Sequence, residues 1–276
     1  MAIGTETVVC GIVLHPAGHT RSPAMHNAAF AACGIDAAYH AFDVPPERLG
    51  DAIRGMRALG IRQLAVSIPH KEAVIAHLDR VEETARAIGA VNTVTLGPDG
   101  ELVGANTDWI GGLRAIEREI KPQGRRAVVL GAGGTARALV YALGQAGAEV
   151  WVLNRTQSRA AELAQQLGAA GSGGLDELSK REPEIIVNTT SVGLRSDESP
   201  VDPLGITSGA VVMDAVYVPE QTRLLADAAN RGAIPIAGKW MLIHQAAEQF
   251  RLWTGREAPA NIMADAFDQE ASQSSA

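Results

Sequence analysis

The sequence predicts an α/β protein of two domains, on three observations. Short apolar runs alternate with helical segments along nearly the whole chain, the pattern of sheets covered by helices. A glycine-rich turn, GAGGTA at 131–136, directly follows one apolar run and opens a helical stretch. The rhythm also tightens after Asp108, where the apolar runs become short and evenly spaced. With 276 residues, 46 % of them apolar, the chain is long enough for one large domain or two ordinary ones and has material for a real core.

In the first half, TVVCGIVLH (7–15) reads as a strand, followed by a loop to Ser22-Pro23 and a helix through Ala32. AAYHAFDV (37–44) is a second strand, and Pro46 opens a helix that ends at Gly60. QLAVSI (63–68) is a third strand, halted by Pro69. Two helical stretches follow, KEAVIAHL and VEETARAIG. Residues 91–106 alternate around Pro98-Asp99-Gly100 and predict a hairpin.

After Asp108 a helix runs through Ile120 to Pro122. Strands are then expected at 125–130, 149–154, 184–189, 210–218 and 234–238, most of them separated by helices. GAAGSGG (168–174) reads as a flexible connection. A helix at 239–255 carries Leu242, Ala246, Phe250 and Trp253 on one stripe, Pro259 leads a last helix, and DQEASQSSA is expected to be a disordered tail. The predicted domains are therefore 1–108 and 109–238, with 239–276 beyond them.

Bulk properties exclude several classes. Net charge is −7, and no basic cluster is longer than Arg125-Arg126, which argues against nucleic acid as a partner. The N-terminus lacks the basic region of a secretory signal, and no apolar run reaches the length of a membrane span. Cys10 and Cys33 form no CxxC pair and read as buried free thiols of a reducing compartment. A cytoplasmic, soluble protein is expected. None of the seven histidines falls in a metal-binding pattern, so no metal is expected.

The glycine loop carries the clearest chemistry. Gly131, Gly133 and Ala136 fit G-x-G-x-x-G/A, with Ala132, Gly134 and Thr135 completing the turn. The first glycine allows the tight turn, the second lets backbone approach a pyrophosphate, and the small third residue lets helix and strand pack closely. A Rossmann-type dinucleotide site follows. In NAD binders an acidic residue about 20 positions on holds the ribose 2′-hydroxyl. Here that region reads LNRTQSR, with Asn154, Arg155, Thr156 and Arg159 and no acid. Guanidiniums suit a 2′-phosphate, so NADP(H) is the expected cofactor. The same residues also serve as a solvated helix start with Thr156 as N-cap.

A nicotinamide enzyme needs a group to protonate or stabilise the oxygen of the carbonyl being reduced. Lys71 lies just past the carboxyl end of a predicted strand, where open α/β sheets bind ligands. Asp108 offers a carboxylate to fix it. Spacing alone leaves Lys71 equally readable as a solvated lysine at a helix start.

Nine motifs in order resemble the shikimate dehydrogenase family (shikimate and quinate dehydrogenases) along nearly the whole chain. They are HTRSPAMHN (19–27), SIPHK (67–71), GAVNT (89–93), GANTD (104–108), GAGGTARA (131–138), NRT with Arg159, NTTSVG (188–193), DAVYVPEQT (214–222) and GKWMLIHQA (238–246). The resemblance implies an N-terminal substrate domain and an NADP domain with a cleft between them, the C-terminal helices returning to the first. It implies NADP-dependent reduction of 3-dehydroshikimate to shikimate, in aromatic amino-acid biosynthesis, with a monomer or homodimer as the working form. It makes Lys71 and Asp108 the catalytic pair. Thr20 and Ser22 would bind the substrate carboxylate with Tyr217 nearby, and Ser67, Asn92 and Gln245 would bind ring hydroxyls. Asn188, Thr189, Ser191 and Val216 would line the cofactor, with Gly238 and Met241 near the nicotinamide. Singly, each has a plainer role: Thr20 and Ser22 as helix caps, Asn92 as a hairpin residue, Gln245 as an exposed helix position and Tyr217 as core.

Two positions depart from the family pattern. Thr20 stands where a serine is common, and Ala65 where asparagine is usual, two residues before Ser67. Both bear on which acid is taken, so a paralogue acting on quinate or another substituted cyclohexane carboxylate is the alternative. A non-catalytic NADP-binding protein is a further one, against which the retained Lys71 and Asp108 argue.

Overall fold

The structure, a computed structural model, describes residues 3–18 and 20–273. Its contacts divide into two compact units, Met1–Thr107 with Gln245–Ala276, and Asp108–His244. The first division falls one residue before the expected boundary. The second falls inside a helix, at 244/245 rather than 238, because that helix runs on without a break.

The first unit begins with β1 (Val8–Leu14), α1 (Ser22–Ala32), β2 (Ala37–Asp43), α2 (Leu49–Ala58) and β3 (Gln63–Val66). It continues with β4 (Arg80–Val81), α3 (Glu83–Ile88), β5 (Thr93–Leu96) and β6 (Leu102–Ala105). The sheet order is β2-β1-β3-β5-β6-β4. β1 pairs in parallel with β2 and β3, while β5 runs antiparallel to both β3 and β6. The antiparallel pair is the predicted hairpin, turned at Gly100 with φ +78. A β-branched or aliphatic core, Val13, Leu64 and Val66 with Ile53 and Met56 of α2, fills one side of this sheet.

Two expectations need correction. Pro46 opens a 3-10 turn (Pro46–Arg48) ahead of α2, and KEAVIAHL forms only a 3-10 turn at Ala73–His77. Only Val74 of that turn is fully buried, so no second turn has a face to pack. β4 follows it, a strand too short to be seen in sequence.

The second unit holds α4 (Asp108–Ile116), β7 (Arg126–Leu130), α5 (Gly134–Gln145), β8 (Glu149–Leu153), α6 (Gln157–Leu167) and β9 (Gly171–Gly173). Then come α7 (Leu178–Arg181), β10 (Ile185–Asn188), β11 (Val211–Asp214), α8 (Arg223–Asn230) and β12 (Ile234–Ile236). The strands are all parallel, in the order β12-β11-β10-β7-β8-β9. The chain starts at β7, moves outward to β9, then crosses to β10 on the other flank. The order therefore reverses between β7 and β10, the switch point where such sheets bind ligands beyond their carboxyl ends. The expected flexible connection at 168–174 contains β9 instead. A Cβ on Gly171 would strike the Trp151 ring, so the glycines let that indole cover the edge strand. β11 stops at Asp214, well before residue 218, and α4 stops at Ile116, short of 120.

α9 (Gly238–Thr254) and α10 (Ala260–Gln273) complete the chain. In the first unit, Phe250 and Trp253 meet Phe30 of α1 at 5.8 and 5.4 Å between ring centres, and α10 packs along α1. Met263 and Phe267 are fully buried, which keeps α10 helical through residues expected to be a disordered tail. The last of those residues, 274–276, lie outside the described residues. No helix among the described residues is long and apolar enough to cross a membrane.

Candidate functional site

In the first unit, the segment after β3 is held on both sides by backbone. Ser67 N donates to Val13 O (3.0 Å), and His15 N to Ile68 O (3.0 Å). The His70 ring, buried, donates from Nε2 to Val44 O at 2.7 Å. The Lys71 carbonyl accepts from Val91 N at 2.8 Å. Lys71 is half-buried and no α-helix starts there, so its position is set by the ends of β3 and the hairpin. Ser67 is half-buried beside it.

Asn92 is buried, as Asp108 is. The Asn92 Oδ1 accepts from Thr107 N (2.8 Å), and its Nδ2 donates to Thr107 Oγ1 (3.0 Å) and to Gln245 Oε1 (2.9 Å). These bonds place Asn92 and Gln245 together, so neither is a lone hairpin or exposed helix residue. Asn106 Nδ2 donates to Ala90 O (2.9 Å), tying GANTD to GAVNT.

The loop before α1 also departs from its plain reading. The N-cap of α1 is Arg21, and no side chain caps the helix. Thr20 Oγ1 instead accepts from Ser22 N and donates to Ser22 Oγ, each at 3.3 Å, so the two hydroxyls sit together. The Arg21 guanidinium lies 4.3 Å from the Phe267 ring centre, which anchors this loop to α10. His19, the first residue of the HTRSPAMHN motif, lies outside the described residues. Ala65 is buried in β3 opposite Thr93, with a methyl where an amide would reach the same face.

In the second unit, Gly131 has φ +113 and its N donates to Leu153 O at 2.8 Å. A Cβ there would lie 2.7 Å from Thr189 Oγ1, which itself donates to Leu130 O at 2.7 Å. The first glycine thus lets β7 and β10 close on each other. A Cβ on Gly133 would meet nothing within 4 Å, so its backbone faces open space, and Ala136 is fully buried against the sheet. Ala132, Gly134 and Thr135 are half-buried around the turn, at the start of α5.

Beyond β8, Asn154 Nδ2 donates to Thr156 O at 3.0 Å. Thr156 is the N-cap of α6, yet its hydroxyl makes no capping bond, against its plain reading. Arg155 and Arg159 are exposed, and no ion pair joins either of them to another of the described residues. An open glycine turn beside two unpaired guanidiniums fits a dinucleotide with a 2′-phosphate. No group of three or more metal-ligating side chains occurs among the described residues.

Sequence reading missed Asp214, which is fully buried at the end of β11. It accepts from Asn188 Nδ2 (2.8 Å), Val216 N (3.0 Å) and Thr222 Oγ1 (2.7 Å). Asn188 Oδ1 in turn accepts from Thr190 N (3.0 Å) and Thr190 Oγ1 (2.7 Å), so its amide shapes the loop after β10. Ser191 is exposed in that loop and Tyr217 half-buried after β11. Gly238 closes the set. A Cβ on it would lie 2.6 Å from both Asp214 O and Val216 O, so only glycine lets α9 start against this loop. Val216 and Met241 are both buried. The signal available for Asp214 was an acid ending an apolar run, where solvent would otherwise be expected.

Burial pushes the Asp214 carboxyl up to about 6, against the pull of its three hydrogen bonds. Because the folded value exceeds the unfolded 3.8, the folded unit holds a proton that the unfolded chain has released. Stability from this group is full below about pH 4 and is lost as pH rises through 6, by about 3 kcal/mol. Asp214→Asn should remove that slope. Amide exchange of β10 and β11 between pH 4 and 7 is the measurement, and a slope unchanged by the substitution would assign it elsewhere.

Comparison with known proteins covers nearly the whole chain. Residues 12–94 match the model described as the shikimate dehydrogenase substrate binding domain, 115–195 the shikimate / quinate 5-dehydrogenase model, and 238–266 the shikimate 5'-dehydrogenase C-terminal domain. The shikimate dehydrogenase (NADP(+)) of Thermococcus kodakarensis is 46 % identical over 265 residues, covering 94 % of this chain and 95 % of that one. A crystal structure of a shikimate dehydrogenase in complex with NADP+ is 38 % identical, with TM-score 0.92 and 98 % of each chain covered. The shikimate 5-dehydrogenase of Thermus thermophilus, in complex with NADP(H) and shikimate, is 39 % identical with TM-score 0.89, over 95 % of this chain and 99 % of that one. Similarity of this extent over nearly the whole chain places it in the shikimate dehydrogenase family.

Proposed function

We propose that the protein is an NADP-dependent dehydrogenase that interconverts 3-dehydroshikimate and shikimate, a step of aromatic amino-acid biosynthesis. The observation that carries this reading is full-length similarity to NADP-dependent shikimate dehydrogenases with Lys71 and Asp108 both retained. Bound NADP(H) would supply or take the hydride. Lys71 holds the proton given to the carbonyl oxygen on reduction, and Asp108 is the carboxylate that fixes the ammonium. Thr20 and Ser22, with Tyr217, bind the substrate carboxylate. Ser67, Asn92 and Gln245 bind ring hydroxyls, and a buried polar group that loses its partner there costs about 1–3 kcal/mol, which gives discrimination.

The glycine turn holds the pyrophosphate and Asn154, Arg155, Thr156 and Arg159 the 2′-phosphate. Thr189, Ser191, Val216, Gly238 and Met241 line the rest of the cofactor site, with Asn188 shaping it. Residues 1–108 form the substrate domain and 109–238 the NADP domain in this reading. The two unpaired cysteines suit the cytoplasm, and the working form is a monomer or homodimer.

Mixing purified protein with shikimate and NADP+ and following nicotinamide absorbance tests the reading. Rapid reduction with that pair, and little with quinate or NAD+, is expected. Thr20 and Ala65 favour a second reading, a quinate-type paralogue, and at least tenfold preference for quinate would establish it. Binding of NADP+ without turnover of either acid would leave a non-catalytic binding protein.

A further inference from the structure

We propose that Gln249 is a positioning residue for recognition of the acid substrate, acting through Asn92; the proposal rests on the reading above. Gln249 lies on α9, four residues after Gln245 and so on the same helical face. It is 2 % exposed and does not reach the surface. Its Nε2 donates twice, to Asn92 O at 3.1 Å and to Thr93 Oγ1 at 2.9 Å. Thr93 Oγ1 passes the contact on, donating to Asn92 Oδ1 at 2.9 Å. Gln249 therefore holds Asn92 at two points, its carbonyl and, through one hydroxyl, its side-chain oxygen.

The consequence falls on Gln245. With Asn92 Oδ1 turned toward Thr93 and Thr107 N, its Nδ2 points at Gln245 Oε1. That bond occupies the Gln245 acceptor and leaves its amide N–H groups as the ones to present to a hydroxyl or carbonyl. Without Gln249, Thr107 N still donates to Asn92 Oδ1, but the Thr93 hydroxyl that also holds that oxygen loses its own anchor, and the polarity offered by both side chains is held less firmly.

Gln249 lies beside His26, whose ring leads on to further polar groups buried in the core. The His26 ring stacks on Tyr39 at 4.3 Å and 4°. Tyr39, Cys10 and Gln63 form one row across β2, β1 and β3. Tyr39 Oη, Gln63 Nε2 and His26 Nε2 are buried without a hydrogen-bond partner among the described residues. Burial holds His26 down to about 4, and the Gln249 side chain offsets part of that shift, which puts the amide beside a neutral imidazole. A leucine or methionine would pack at 249 with less cost in desolvation than glutamine, so packing alone gives no reason for an amide there.

Gln249→Met keeps length and removes both amide groups. The expected result is a KM for shikimate raised about tenfold, from loss of two buried hydrogen bonds, with kcat and KM for NADP+ each within about twofold. In an Asn92→Ala background the same substitution should change KM by less than about twofold, because the residue it acts through has gone. Gln249→Glu is the second variant, since a carboxylate keeps the shape but cannot donate. Its KM for shikimate, and not that for NADP+, should fall back toward wild type as pH is lowered to about 5.5 and the carboxyl is protonated; general disruption around a buried carboxylate would move both. An unchanged KM in both variants, or an equal increase in the Asn92→Ala background, overturns the proposal while wild-type turnover leaves the parent reading intact. A wild-type protein that fails to oxidise shikimate overturns both.

Discussion

Lys71→Ala should lower kcat for shikimate oxidation by about 10²–10⁴-fold, the contribution of a positioned proton donor or acceptor, while KM for shikimate shifts only a few-fold. The asymmetry follows from when the interaction matters. A ground-state hydroxyl gains one ordinary hydrogen bond from the ammonium, whereas the oxygen at the transition state carries developing charge and is stabilised far more. The backbone around Lys71 supports this role. Its carbonyl is bound by Val91 N at 2.8 Å, and the His70 ring is bound to Val44 O at 2.7 Å, so the residue departs from a fixed point. Removing the side chain leaves those bonds in place, and the variant should fold. Steady-state kinetics with shikimate and NADP+, together with the dissociation constant for shikimate, separate the outcomes. A raised KM with kcat unchanged would make Lys71 a binding residue only.

How much of this was legible in the sequence depended on whether the signal was local. Strands β1, β3, β7, β8, β10 and β11 appeared as apolar runs because most of their residues are buried, as in strands covered on both faces, while the edge strands β2 and β12 showed through their apolar composition although much of each is exposed or half-buried. The glycine turn was legible because φ +113 at Gly131 and the close approach at Thr189 require glycine whatever lies elsewhere. β9 was not, since its three residues, Gly171–Gly173, owe their place to Trp151 on a strand twenty residues earlier. The same holds within the candidate site. Asn92 and Gln245 are 153 residues apart and meet at 2.9 Å, a contact no periodicity announces. Asp214 escaped notice as an acid ending an apolar run and Gln249 as one of several polar residues on a mixed helix, and only the fold shows that each is buried with its polar atoms in use. Arg21 was passed over between two hydroxyl residues, although its stacking on Phe267 is what ties that loop to α10.

Replacing Arg155 and Arg159 together by alanine should raise the dissociation constant for NADP+ by about 10²-fold or more and leave that for NAD+ within about threefold. Hydrogen bonds to charged groups contribute about 1.5–3 kcal/mol each, and exposure places both guanidiniums at the low end of that range. Neither is engaged in an ion pair with the described residues, so alanine removes no internal ion pair, and the effect belongs to the ligand. The effect should also shrink as salt rises, because both partners are solvent-facing charges. Calorimetric titration of the two cofactors at two ionic strengths is the measurement. Equal weakening of NADP+ and NAD+ would mean that the 2′-phosphate is read elsewhere. The complementary change sharpens the argument. Asn154 follows β8 directly, in the region where NAD binders carry their acid, and its amide donates to Thr156 O at 3.0 Å. Asn154→Asp would place a carboxylate there in the absence of both arginines. A 2′-phosphate would be repelled and a 2′-hydroxyl accepted, so the triple variant should prefer NAD+ outright. If it still preferred NADP+, discrimination would have to come from Thr156 or from backbone N–H groups at the start of α6, which the substitutions leave untouched.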